Sequence, residues 1–222
     1  MKLLLTSAGI KNPTIDAALV SLLGKPIADC DALCIPTASY GHSSFAGARR
    51  FVAGTNSNCP MVELGWKSVG LLELTALPTL ERERWVAAVE AADVLLANGG
   101  DALYLAHHMR ASGLAELLPT LDIVWAGFSA GSMAMTPCIG DDFKVWEPPG
   151  GGDKALGIVD FAIFPHLDHP DLPENTMADA EKWAAGMDVP AYAIDDDTAI
   201  VWLDGEIEVV SGTGHWKLFP AA

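Results

Sequence analysis

Gly127-Phe128-Ser129-Ala130-Gly131 follows directly on the apolar run Ile123-Val124-Trp125-Ala126. That adjacency constrains the fold more than any other feature of the chain. A buried strand ends, the backbone turns sharply, and small residues on both sides of the serine let the next segment pack close. A G-x-S-x-G turn holds a hydroxyl clear of its own backbone, which a weak nucleophile needs if a base is to reach it. The bland alternative is a tight strand-to-helix connection in which Ser129 only caps the helix.

The surrounding pattern supplies the strands that such a turn requires. Leu3–Thr6, Ala32–Ile35, Val94–Ala97, Ile123–Ala126 and Phe161–Phe164 read as short buried strands, with Val62–Leu64 a further candidate. Between them, Thr14–Leu23, Leu80–Ala92, Ala102–Ala111 and Met177–Ala185 carry helical periodicity. The first of these helices is expected to be capped by Thr14 and closed by Gly24-Lys25-Pro26. Three late strands follow at Tyr192–Ile194, Ala199–Leu203 and Ile207–Val210, and Asp204-Gly205 signals a hairpin between the last two. Alternating strands and helices with a late hairpin predict an α/β fold whose sheet is mostly parallel with an antiparallel edge.

The 222 residues, half of them apolar, suffice for one domain with a large core, and no linker or repeat divides residues 1–222. A net charge of -16 repels nucleic acid and anionic membranes, and no basic patch offsets it. Cys30, Cys34, Cys59 and Cys138 lack metal-site spacing and read as buried reduced thiols. With no signal-peptide pattern and no apolar run long enough for a membrane span, a cytoplasmic protein is expected. Apolar strands near the C-terminus are compatible with a homodimer.

Parallel sheets place reactive residues at the carboxyl ends of their strands. Three loaded segments fall there: Asn98-Gly99-Gly100-Asp101, Gly127–Gly131 and Pro165-His166. Of the six histidines, His107 and His108 lie inside a helix and His42 in a loop. His166, after a strand stopped by Pro165, is the favoured base for Ser129, on the same sheet edge, and His215 is second. The base needs an acceptor to fix its tautomer, and Asp195-Asp196-Asp197 offers carboxylates at another strand end. The N–H of Ala130, with one from Gly99 or Gly100, would hold an oxyanion.

Several of these segments, in this order, resemble the peptidase E family of α-aspartyl dipeptidases, with cyanophycinase a more distant relative. The likeness runs through Leu3-Leu4-Leu5-Thr6-Ser7, Asn12-Pro13-Thr14-Ile15, Ile35-Pro36-Thr37-Ala38, Asn98–Asp101, Gly127–Gly131, Phe164-Pro165-His166 and Ala193–Asp196. It implies a three-layer α/β/α sandwich similar to class I glutamine amidotransferases. It also implies a serine peptidase acting on short peptides, with Ser129 as nucleophile, His166 as base and Asp196 at the position of the family's glutamate. Asp141, Asp142 and Glu147 are the other carboxylates in reach of that role. No cofactor and no metal are implied.

Two departures bear on specificity. The family's Gly-Gly motif usually continues with asparagine, whereas Asp101 here brings a further negative charge towards the pocket. Members that select aspartate use an arginine downstream of the histidine, and residues 173–182 contain none; Lys182 is a point charge without a fork. A preference for aspartate is therefore not expected. Three other readings remain open on the residues alone. The order Ser129, Asp195–Asp197, His215 suits an α/β-hydrolase esterase. His166-Leu167-Asp168-His169 resembles half of a zinc motif. A ligand-binding relative could keep the fold and lose turnover. The segment Trp146–Gly152 reads as a loop able to cover the pocket.

Overall fold

The computed structural model describes residues 1–42 and 45–221. In chain order the elements begin β1 (Lys2–Thr6), α1 (Pro13–Leu23), β2 (Asp31–Ile35), α2 (Ala38–Gly41), α3 (Phe45–Val52), β3 (Ser68–Leu71) and α4 (Arg82–Glu90). They continue β4 (Val94–Ala97), α5 (Ala102–Ser112), α6 (Leu114–Leu117), β5 (Val124–Phe128), α7 (Ala130–Met133) and β6 (Ala162–Phe164). The chain ends with α8 (Met177–Ala184), β7 (Ala191–Ile194), β8 (Thr198–Leu203), β9 (Glu206–Ser211) and β10 (Trp216–Phe219).

A seven-stranded sheet runs in the order β3-β2-β4-β5-β1-β8-β9. Its first five strands are parallel, and β8 and β9 close it as an antiparallel edge. Because side chains alternate along a strand, the two faces bury different residues. Leu3, Leu5, Leu95, Ala97 and Trp125 face α4, α5 and α7, whereas Leu4, Val94, Leu96, Val124 and Ala126 face α1 and α3. Helices thus cover both faces, giving the three-layer α/β/α arrangement. The register Leu5↔Gly127 and Ala97↔Gly127 brings the carboxyl ends of β1, β4 and β5 level on one rim.

The structure differs from the sequence reading at definite places. Residues Val62–Leu64 form turns rather than a strand, and the parallel edge partner of β2 is Ser68–Leu71. Val69 and Leu71 are exposed on that edge, so it carries no burial pattern to read. The cap of α1 is Asn12, whose side-chain oxygen accepts the N–H groups of Thr14 and Ile15 at 3.0 and 3.1 Å while Pro13 starts the helix. Asp204 and Gly205, at φ 50° and 93°, make the expected tight hairpin turn. Residues 212–216 do not extend that hairpin; the chain leaves it after Ser211 and forms β10 against β7.

The largest difference is a second sheet, β10-β7-β6. One of its faces, with Ile163, Tyr192 and Ile194, joins the main core. The other, with Ala162, Phe164 and Ala193, packs on α8 through Trp183. His166, two residues beyond β6, therefore does not share a sheet edge with Ser129. Cys30 and Cys34 are buried, but Cys59 and Cys138 are partly exposed, and all four are unpaired.

Candidate active site

The strand β5 delivers Ser129 in a conformation that side chains rarely adopt, φ 50° and ψ -110°. Strain of this kind costs about 1–3 kcal/mol and persists only where the surroundings enforce it. They do so here. The Ser129 N–H donates to the Thr6 carbonyl at 3.0 Å, and the same carbonyl accepts the Ser132 hydroxyl at 2.8 Å. A Cβ on Gly131 would stand 2.4 Å from the Ala97 carbonyl oxygen, so only glycine lets α7 pack that close to β4.

Ser129 Oγ lies 3.0 Å from His166 Nε2, and His166 Nδ1 lies 2.7 Å from Asp196 Oδ1. The histidine reaches across from the small sheet with a left-handed backbone, φ 58°. Its own N–H donates to the Ser7 hydroxyl at 2.6 Å. Burial penalises the Asp196 carboxylate, but the hydrogen bond and charge of His166, followed by Lys11 and His169, outweigh it and hold the carboxyl below the ordinary range. Of the three adjacent aspartates only Asp196 touches His166. Asp195 braces the turn, accepting the hydroxyls of Thr198 and Thr213 at 2.6 Å each. The Asp197 carbonyl accepts the Asn12 amide at 3.0 Å.

Gly99 and Gly100 line the cavity beside Ser129. Gly100 has φ 138°, and a Cβ there would fall 2.2 Å from the Ala38 carbonyl oxygen. Ala130 opens α7, so its N–H has no partner within the helix. The two glycines and the start of α7 thus border the Ser129 hydroxyl on one rim.

Asp101 is placed otherwise than its sequence suggests. It is 1% exposed, and its two oxygens accept the N–H groups of Tyr104 at 2.8 Å and Trp146 at 2.7 Å. It caps α5 and ties down the start of the 146–152 segment instead of lining the pocket. Trp146 further packs against Tyr104 and His107. Asp141 and Glu147 pair with Lys144, whereas Asp142 lines a cavity with Ser129 and His166. His215 bonds Asp168 at 2.7 Å rather than Ser129. The half zinc motif is split the same way, His166 turning to Ser129 and His169 to Asp196.

Three cavities meet at the Ser129–His166 pair. One of about 340 Å³ holds Asp142, Glu174, Met133 and Phe143 beside Ser129 and His166. A second, of about 240 Å³, adds Arg50 and His42 to Ser129 and the two glycines. The third, of about 570 Å³, carries Lys11 and His169 beyond His166, and Cys59 lines both it and the second. Burial, then the charge of Asp196, pushes the Cys59 thiol up to about 11, so it is no rival nucleophile at neutral pH. The sequence reading missed Ser7, Lys11, Arg50 and Cys59 as site neighbours and weighed His169 only as part of a half zinc motif. Of the four, Ser7 alone carried a signal, as the residue directly after the first strand.

A buried-strand turn bearing a serine, hydrogen-bonded through a histidine to a carboxylate on an α/β scaffold, is an arrangement that can activate a hydroxyl. Residues 3–210 match peptidase family S51, and the chain belongs to that family. No protein of curated function matches it in sequence. Its fold is similar to that of a peptidase E candidate from Listeria monocytogenes EGD-e, at 19% identity and TM-score 0.69, covering 95% of this chain and 98% of the other. A peptidase from an acI-B1 Actinobacterium is similar at 24% identity and TM-score 0.62, covering 100% of this chain and 88% of the other.

Proposed function

We propose that the protein is a serine exopeptidase that hydrolyses short peptides through an acyl-enzyme on Ser129. The observation that carries this reading is the continuous chain from Ser129 Oγ through His166 to Asp196, at 3.0 and 2.7 Å. His166 Nε2 takes the Ser129 proton as Oγ bonds to the scissile carbonyl carbon. The N–H groups of Ala130 and of Gly99 or Gly100 hold the resulting oxyanion. His166 then hands its proton to the leaving nitrogen as the C–N bond breaks, and a water attacks the ester by the same relay.

Charge around the serine supports a small substrate with both termini free. Asp142 and Glu174 on one side suit a terminal ammonium, and Arg50, with Lys11 beyond Cys59, suits a terminal carboxylate. The acidic side also disfavours an amino-terminal aspartate, in keeping with the absence of arginine from residues 173–182.

The test is fluorophosphonate labelling followed by a dipeptide panel. A single adduct on Ser129, lost in Ser129→Ala, is expected, with neutral Xaa-Xaa dipeptides cleaved faster than Asp-Xaa. An unlabelled wild-type protein would point to a ligand-binding relative and end the peptidase reading. Faster cleavage of Asp-Xaa would overturn the specificity alone.

A further inference from the structure

Ser129 and His166 ride on different sheets, so something other than strand pairing must set the distance between them. The residues that end β1 lie at that seam. Thr6 holds the nucleophile turn through its carbonyl, as described above. Ser7, wholly buried, accepts the His166 N–H at 2.6 Å, and its own hydroxyl stands 3.4 Å from Asp196 Oδ1. One side chain thus touches both the base and the acid. It also satisfies the amide of a histidine held at φ 58°, a conformation that needs outside support. β1 is paired on both sides, to β5 and β8, so Ser7, the residue directly after it, is anchored by a rigid interior strand.

We propose that Ser7 is the positioning residue of this site: its hydroxyl fixes His166 across the seam so that Nε2 meets the Ser129 hydroxyl, and it steadies the Asp196 oxygen that His166 uses. Ser7 touches no substrate atom and acts through His166. The inference rests on the serine-peptidase reading.

Ser7→Ala tests it. A displacement near 1 Å in a reacting pair costs about 100-fold, so kcat should fall about 100-fold with KM within about twofold. The fluorophosphonate labelling rate of Ser129 should fall by a similar factor in protein shown to be folded. In a His166→Ala background the same substitution should change the residual rate by less than about twofold, because the two residues act as a unit. A purely structural hydroxyl would instead lower stability and leave labelling of the folded fraction unchanged, or lower both backgrounds alike; either result overturns the proposal. If Ser7→Ala does not fold, Ser7→Cys, similar in shape but a poor acceptor, carries the same expectation, and failure of both to fold also overturns it. Wild-type protein that does not label would defeat the peptidase reading; wild-type that labels beside an unimpaired Ser7→Ala would defeat this inference alone.

Discussion

His169 Nε2 stands 3.5 Å from Asp196 Oδ2, the carboxylate oxygen that His166 does not bond. Lys11 Nζ reaches that same oxygen at 3.5 Å. Asp196 therefore has nitrogen partners on both of its oxygens, which keeps it ionised in a half-buried position and leaves Oδ1 to orient the histidine. The carboxylate is shorter than the glutamate at this position in the resembling family, yet it bonds the imidazole directly.

Asp196→Asn keeps the shape of the acid and removes its charge. An amide at this place favours the wrong histidine tautomer, and kcat should fall about 10⁴-fold with the fold intact. Steady-state rates on the best dipeptide, read beside urea midpoints, check this. A loss below tenfold contradicts the role of Asp196.

The acid side of the stability profile follows from the same group. The Asp196 carboxyl is lowered in the folded protein, so its contribution is complete above the unfolded value, about 3.9, and is lost as pH falls through the lower folded value. The difference in urea midpoint between wild type and Asp196→Asn should shrink as pH falls below about 4. A difference that vanishes near neutral pH would contradict the sign.

His215→Ala should leave kcat/KM within about twofold, because its partner is Asp168 and both side chains are largely exposed. The stability change should stay within about 1 kcal/mol, as for other surface pairs. An inactive His215→Ala would revive the esterase arrangement.

Asp101→Ala should act on stability and not on substrate binding. It removes the cap of α5 and strands the Trp146 N–H, together about 2–3 kcal/mol. Urea denaturation measures that loss, and KM for neutral dipeptides should be unchanged. A large shift in KM with normal stability would return Asp101 to the pocket.

Cys59 lines a cavity with Ser129, so alkylation separates the two. A thiol at about 11 leaves roughly one thiolate per thousand at pH 8. Iodoacetamide at that pH should leave activity intact over the time in which a fluorophosphonate abolishes it. Rapid inactivation by iodoacetamide would make the thiol the working group.

The parts of this protein that were legible in sequence are those with strong local causes. The elbow at Ser129, the buried strands Val94–Ala97 and Val124–Phe128, and the Asp204-Gly205 hairpin each follow from apolar runs and turn chemistry. Edge strand Ser68–Leu71 was not, because half-exposed residues leave no alternation to read. The second sheet was hidden for a different reason: β6 and β7 are as buried as the main strands, and burial does not say which sheet a strand joins. Asp101 was misplaced because a carboxylate before a helix serves equally as a cap or a pocket charge, and only the position of Trp146 decides between them. Ser7, Lys11 and His169 are far from Asp196 in the sequence and reach it only through the fold.

The division of strands between two sheets gives the small one a leverage out of proportion to its size. Phe164 ends β6 two residues before His166, and it is stacked edge-on with Trp183 of α8 and with Phe143. A void carved beneath that helix would loosen the sheet that carries His166 and leave its backbone held only from the β1 side, through Ser7. Warming such a variant should silence turnover several degrees before the molecule melts.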